Sequence, residues 1–256
     1  MRRLIGFACE GETLAATLDE APGTTGLLIV SGGNEIRSGA HRGMAMLAQR
    51  LAATGTPVFR YDRRGVGDST GDNGGFLTAE PDLIAAAAAF RNAAPHVTRL
   101  VGFGNCDAAS TLALFGRSAG FDKVVLANPW VIEPIDDLPP AAAIRAHYRR
   151  ALRDPATWRR VLSGKLNISK FIRGLLRIVN TDQDNQNPLS RRVLTAIAAW
   201  QTNAAVILAR GDATAIAFAA AAAGAAVPSE TIDTDSHSFT GPAAAALETA
   251  LRRNLA

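Results

Sequence analysis

Cysteine is scarce: the 256 residues hold only Cys9 and Cys106. Two thiols cannot make the disulfide framework of a small secreted scaffold, and their contexts lack the paired spacing of a zinc site. A reducing, cytoplasmic setting is the expectation. Long apolar runs are missing as well. The longest weakly apolar stretch, 213–227, is mostly alanine and falls short of the roughly 20 residues that span a bilayer. At the N-terminus Arg2 and Arg3 precede an apolar run, but Glu10 interrupts it too early for a signal peptide. There is no internal repeat, no Walker-type loop and no dinucleotide fingerprint, so no cofactor and no metal are expected.

What is present is an ordinary globular balance, 48% hydrophobic and 20% charged residues, long enough for one sizeable core. Residues 3–9 and 12–19 read as a hairpin about Glu10-Gly11. Gly26-Leu27-Leu28-Ile29-Val30 is an unalternated apolar run, as in a strand buried on both faces of a parallel sheet. Helix at 41–54, strand at 57–61, helix at 80–92, strand at 98–103, helix at 107–117 and strand at 123–127 then alternate as βαβ units. The rhythm lapses over 131–201, where Pro134, Pro139, Pro140, Pro155 and Pro188 punctuate helical stretches. An inserted helical cap is expected there. Strand 205–208, helix 214–223, a short strand at 230–233 and a last helix from Pro242 restore the rhythm. The expected fold class is thus α/β, with a mostly parallel central sheet flanked by helices. A core of 1–130 and 202–256 carries a cap of 131–201.

The segment Leu100-Val101-Gly102-Phe103-Gly104-Asn105-Cys106-Asp107-Ala108 passes from an apolar strand through a Gly-x-Cys-x-Ala turn into an alanine-rich helix. A nucleophile at such a sharp turn needs small neighbours, and a helix N-terminus favours a thiolate. A small buried cysteine serving only as a hydrophobe is the plain alternative. An acid and a histidine follow the nucleophile in chain order. Asp212 stands at the end of a strand and His237 in the polar loop before the last helix, which points to a catalytic triad. Taken singly, Asp212 could be a helix N-cap, in competition with Thr214, and His237 a solvated loop residue. Asp233 and Asp235 are reserve candidates for orienting the imidazole. His96 is read as structural, His41 as a capping or packing residue near the site entrance, and His147 as part of the cap. For a developing oxyanion the donors expected are the backbone N–H groups of Asp107, next after the nucleophile, and of Gly33, in the glycine loop after the first buried strand. The Asp107 side chain is read as a helix first-turn acid.

Tyr61-Asp62-Arg63-Arg64-Gly65-Val66-Gly67-Asp68-Ser69 resembles an Asp-x-Arg-Gly-x-Gly-x-Ser signature common in α/β-hydrolases, and its charges are read as loop organisers. Taken with the elbow and the triad order, the chain resembles an α/β-hydrolase over nearly its full length. More narrowly, it is similar to the exosortase A system-associated hydrolase 1 family. The residues carrying that likeness are Gly32-Gly33-Asn34, Arg37 to Arg42, Cys106 to Ser110, Asn128-Pro129-Trp130, Trp158, Ser163-Gly164-Lys165 and Asp212-Ala213-Thr214. The resemblance implies a hydrolase of undefined substrate, associated with bacterial systems for exopolysaccharide and sorted surface proteins. Cysteine in place of serine, and Ala108 in place of glycine, set the chain apart from lipases.

The chemistry expected is attack by Cys106 on an ester or thioester carbonyl, with His237 as base and then acid and Asp212 fixing its tautomer. An acyltransferase using the same triad, and a non-catalytic binding protein on a hydrolase scaffold, are the alternatives. The expected partner is a small acyl substrate. Charge adds one more expectation. Residues 145–177 hold ten Arg or Lys against Asp154 alone, a net +9, which leaves 17 bases and 22 acids, or −5, elsewhere in a chain of +4 overall. Apolar residues interleave with those bases, so the cap reads as basic amphipathic helices that cover the site. They could also meet an anionic membrane surface, peripheral to the inner membrane face. No nucleic acid is expected, since no binding motif accompanies the charge.

Overall fold

The unalternated apolar runs form strands covered on both faces. The structure, a computed structural model, describes residues 1–132, 188–225 and 227–256. Its strands are β1 (Arg2–Cys9), β2 (Glu12–Asp19), β3 (Thr25–Val30), β4 (Val58–Tyr61), β5 (Arg99–Asn105), β6 (Lys123–Ala127), β7 (Ala204–Ala209) and β8 (Ser229–Ile232). They make one sheet in the order β1-β2-β4-β3-β5-β6-β7-β8. β1 pairs antiparallel with β2, and β2 with β4; all the other pairs are parallel.

The helices are α1 (Gly43–Ala53), α2 (Glu80–Ala93), α3 (Asp107–Phe115), α4 (Pro188–Ala199), α5 (Ala213–Ala221) and α6 (Ala243–Leu255). Side chains alternate across a strand, and each central strand therefore feeds two apolar clusters. Leu27, Ile29, Val101, Phe103, Val125 and Ile207 face α1 and α6, which bury Leu47, Leu51, Leu247 and Leu251 against them. Leu28, Val30, Leu100, Val124, Leu126 and Val206 face the other way, onto Phe90 of α2, Leu112 of α3 and Phe218 of α5. Burial of this kind stabilises by roughly 25 cal/mol per Å² of apolar surface.

The segment expected as a cap meets the described residues at its ends only, and the stretch 133–187, including His147 and the basic run 145–177, lies outside them. Within the described part, α4 is a wall of the core. Leu189, Val193 and Ile197 bury one side of it in the same cluster as Leu112. The indole N–H of Trp200 donates to the Ala113 carbonyl of α3 at 3.0 Å. Its apolar spacing is that of any helix with one buried face, so its place beside α3 had no separate signature. Among the described residues no helix is long and apolar enough to cross a membrane.

Strand order also sets where a site can lie. From β3 the chain crosses to β4 on one side and then returns to β5 on the other. The loops leaving β3 and β5 therefore diverge, opening a crevice at their carboxyl ends, the usual location of ligand sites in open α/β sheets. Gly32-Gly33 and Cys106 are the residues on those two loops.

Candidate active site

Cys106 joins β5 to α3 with φ 63° and ψ −128°, a backbone region that non-glycine residues seldom occupy. Surrounding structure holds it there. Its N–H donates to Ala127 O at 3.0 Å, and its carbonyl accepts from the Ala109 and Trp130 amides at 3.1 and 3.2 Å. The Ser110 hydroxyl binds Trp130 O at 2.6 Å, tying the segment after β6 to the same turn. The small neighbours have specific reasons. A Cβ on Gly104 would stand 2.7 Å from the Ala108 carbonyl, and one on Gly32 would stand 2.6 Å from Asn105 O. Chain passes chain too closely there for any side chain. Cys106 is partly exposed, whereas Cys9 is buried.

Asp212 and His237, 25 residues apart, meet at this turn. Imidazole Nδ1 lies 2.9 Å from Asp212 Oδ1, and the Cys106 side chain is close enough to act electrostatically on the ring. With Nδ1 engaged, Nε2 is the ring nitrogen left for another partner. The hydrogen bond to Asp212, then the influence of the Cys106 side chain, raise the His237 pKa from 6.5 to about 10 against the opposing effect of burial. For Asp212 burial pushes upward, but the hydrogen bonds from His237 and the Ala215 amide outweigh it and hold the carboxyl below its ordinary value. The catalytic and capping readings of Asp212 prove compatible. Its Oδ2 accepts the Ala215 N–H at 3.0 Å as N-cap of α5 while Oδ1 faces the histidine. Of the reserve acids, Asp233 pairs with Arg210 at 3.5 Å on the surface, and Asp235 packs against Gly211.

The expected oxyanion donors are differently placed from one another. Asp107 opens α3, where its N–H is one of the first-turn donors that no intrahelical carbonyl can reach. Gly33 N–H instead donates to Asp107 Oδ1 at 2.7 Å. In this conformation its partner is therefore a side-chain carboxylate. Arg63 completes the arrangement. Almost fully buried, it donates to Gly33 O and approaches Asp107 Oδ2 at 3.4 Å. The neighbouring Asp62 accepts from the Arg37 backbone and guanidinium and from the Asp68 amide at 3.2 Å. The loop after β4 thus organises the loop after β3, and Arg63 reaches the site itself.

Two asparagines form a further part of the site. Asn105 Nδ2 donates to the His237 carbonyl at 3.0 Å, and Asn128 Nδ2 donates to the same oxygen at 3.3 Å and to Asn105 Oδ1 at 3.1 Å. Asn128 Oδ1 accepts the Ala209 N–H at 2.8 Å, so one buried amide links the ends of β6 and β7 with the histidine loop. An asparagine directly after a strand, before Pro129, was their one visible signal. His96 bonds Ala21 O at 2.9 Å on the surface, away from this cluster. His41 sits in a 3-10 turn with left-handed backbone, φ 51°. Among the described residues no group of three His, Cys, Asp or Glu is placed to hold a metal.

The strand order, the elbow and the loop arrangement define an α/β-hydrolase fold, and solved structures agree. The chain superposes on the esterase Pf2001 of Pyrococcus furiosus with TM-score 0.63 and 13% identity, over 100% of this chain and 89% of that one. An α/β serine hydrolase without a lid, XC6422 of Xanthomonas campestris, gives TM-score 0.60 and 14% identity over 99% and 93%. The thioesterase domain of the curacin biosynthetic pathway gives 0.55 and 13% over 98% and 99%. No protein-family model matches the chain, and no curated protein matches it in sequence.

Proposed function

We propose that this protein is an ester or thioester hydrolase acting through an acyl-cysteine at Cys106. The observation that carries this reading is the 2.9 Å Asp212–His237 hydrogen bond beside Cys106, whose strained turn stands at the crevice between β3 and β5. An imidazole that keeps its proton to about pH 10 is an acid ready beside the nucleophile. Sulfur attacks the carbonyl carbon, a C–S bond forms, and the carbonyl π pair moves onto oxygen. As the tetrahedral intermediate collapses, the bond to the alcohol or thiol breaks and His237 gives that group its proton. Neutral His237 then takes a proton from water, whose oxygen displaces the sulfur and releases the carboxylic acid. Asp212 holds the ring in the tautomer that both steps need.

The oxyanion is met first by the Asp107 amide. Gly33 N–H joins it when the Asp107 carboxylate turns from Gly33 toward Arg63, whose guanidinium already stands beside its other oxygen. Donors held in place before the charge develops are worth more than donors that must reorient, and Arg63 supplies that holding. The finer likeness, to the exosortase A system-associated hydrolase 1 family, rests on the quoted motifs. Esterase and thioesterase are what the superposed proteins are named, and they support the same reaction class for this chain.

The test is covalent. A slowly hydrolysed acyl thioester should add the mass of its acyl group to the wild-type chain at Cys106. Cys106→Ala should remain folded, form no adduct and show no turnover. Turnover by the folded Ala variant would remove Cys106 from the mechanism.

A further inference from the structure

β1 is the outermost strand of the sheet and follows β2 without a bulge, from Arg2 opposite Asp19 to Cys9 opposite Glu12. In an antiparallel ladder, opposed residues alternate between pairs that exchange hydrogen bonds and pairs that do not. The Glu20 N–H donates to Met1 O at 2.8 Å, so the odd-numbered residues of β1 are those that spend their N–H and C=O groups on β2. The even-numbered ones, Arg2, Leu4, Gly6 and Ala8, direct theirs away from the sheet. β2 shows the same alternation on its far side, where Ala15 O accepts the Asp62 N–H at 2.9 Å and Thr13 O accepts the Thr70 N–H at 3.0 Å.

An edge of this length is a template for a further strand unless proline, a bulge or a guarding charge blocks it. β1 has neither proline nor bulge. Its charges are turned back onto the end of β2: Arg2 Nε donates to Asp19 Oδ1 at 2.7 Å, and Arg3 to Glu20 Oε1 at 3.0 Å. Leu4 is 78% exposed, and Gly6 and Ala8 on the same face are exposed with it. On the opposite face Ile5 and Phe7 pack against the core. Among the described residues no strand pairs with this outer edge.

We propose that β1 pairs antiparallel with β1 of a second copy of this chain, about a two-fold axis at Ile5, joining the two sheets into one. The proposal stands independently of the hydrolase reading. In this register the strand is self-complementary, as a two-fold contact requires. Arg2 stands opposite Ala8 of the second copy and Leu4 opposite Gly6, so every outward backbone group of both strands gains a partner. Leu4 covers Gly6 of the second copy, where even an added Cβ would meet only Thr13 Cγ2, at 3.7 Å. Charge selects the direction. Arg2 and Arg3 open the strand and Glu10 lies just past its end. Antiparallel pairing therefore brings the arginines of one copy beside the glutamate of the other, and parallel pairing would set like against like. The three side chains are 38%, 46% and 56% exposed, which leaves them able to meet.

The test is the oligomeric state of the full chain in solution. Sedimentation should show a dimer whose share grows with protein concentration. Gly6→Pro removes an N–H that β2 does not use, at a place where an edge strand tolerates proline. Symmetry deletes two hydrogen bonds at once, so the dimer dissociation constant should rise at least about tenfold, while circular dichroism stays that of the folded chain. Disulfide trapping reads the register. It is done in Cys106→Ala, where the buried Cys9 is the native thiol that remains. Ile5→Cys places the two new Cα atoms about 4.5 Å apart across the axis, within disulfide range, and oxidised glutathione should link the copies. Leu4→Cys holds its pair roughly 8 Å apart, beyond that range, and should stay unlinked. A wild-type chain that is monomeric at every concentration overturns the proposal, as does a dimer that folded Gly6→Pro leaves unchanged. Linking at neither position, or equally at both, also overturns it, and should Gly6→Pro not fold, the trapping pair decides alone.

Discussion

Replacing Asn128 with alanine should damage both stability and turnover, because this one side chain joins three elements. It is fully buried, with its carbonyl oxygen 2.8 Å from the equally buried Ala209 N–H and its amide 3.3 Å from His237 O. Alanine leaves the Ala209 donor unpartnered at the end of β7. A stranded buried donor costs about 1–3 kcal/mol. Asn128 also holds φ 43°, a left-handed value that asparagine tolerates and that costs other residues roughly 1–2 kcal/mol. The sum is about 3 kcal/mol, which for a chain of this size lowers Tm by roughly 6–12 °C. Thermal melts and urea titrations measure it. Asn128→Asp separates the two roles: its carboxylate can still accept from Ala209 but can donate neither to Asn105 nor to His237 O. Turnover in both variants should fall about ten- to a hundredfold, since small displacements of a catalytic group have effects of that size. An alanine variant as stable as wild type would refute the reasoning about the buried amide. Full activity in both variants would refute its part in placing the histidine loop.

Asp212→Asn should keep the cap of α5, because asparagine caps a helix as well as aspartate does, while losing the stabilising contact with protonated His237 and lowering kcat by up to about 10⁴ through the wrong imidazole tautomer; stability loss without kinetic loss would reduce Asp212 to a structural role. Iodoacetamide should label Cys106 well before Cys9, which is buried and whose thiol is pushed up to about 11 by burial and by Asp82; peptide mapping that finds equal labelling would contradict an activated Cys106. The His237 pKa is raised from 6.5 to about 10 in the folded chain, so its contribution to stability is full below pH 6.5, shrinks across that interval and is gone above about pH 10. His237→Gln should remove that alkaline decline from a plot of unfolding free energy against pH, and an unaltered slope would argue against the Asp212 contact in solution.

Periodicity and local chemistry carried much of the architecture, because strands buried on both faces need unbroken apolar runs and helices with one buried face need their 3.6-residue spacing. Leu27 to Val30, Val124 to Leu126 and Val206 to Leu208 announce the parallel sheet, and Gly104 and Ala108 mark the tight turn into α3. Chain order alone set Asp212 and His237 after the right elements. Tertiary structure decided what those residues touch. That one carboxylate caps α5 and faces the imidazole depends on where β7 ends relative to a loop 25 residues later. Gly33 could be read as a free donor because backbone amides look alike in a sequence; only the fold brings the Asp107 carboxylate to it across 74 residues. Arg63, Asn105 and Asn128 act by the same kind of contact. A buried amide or guanidinium gains its partners from segments distant in the chain, and no local pattern encodes them.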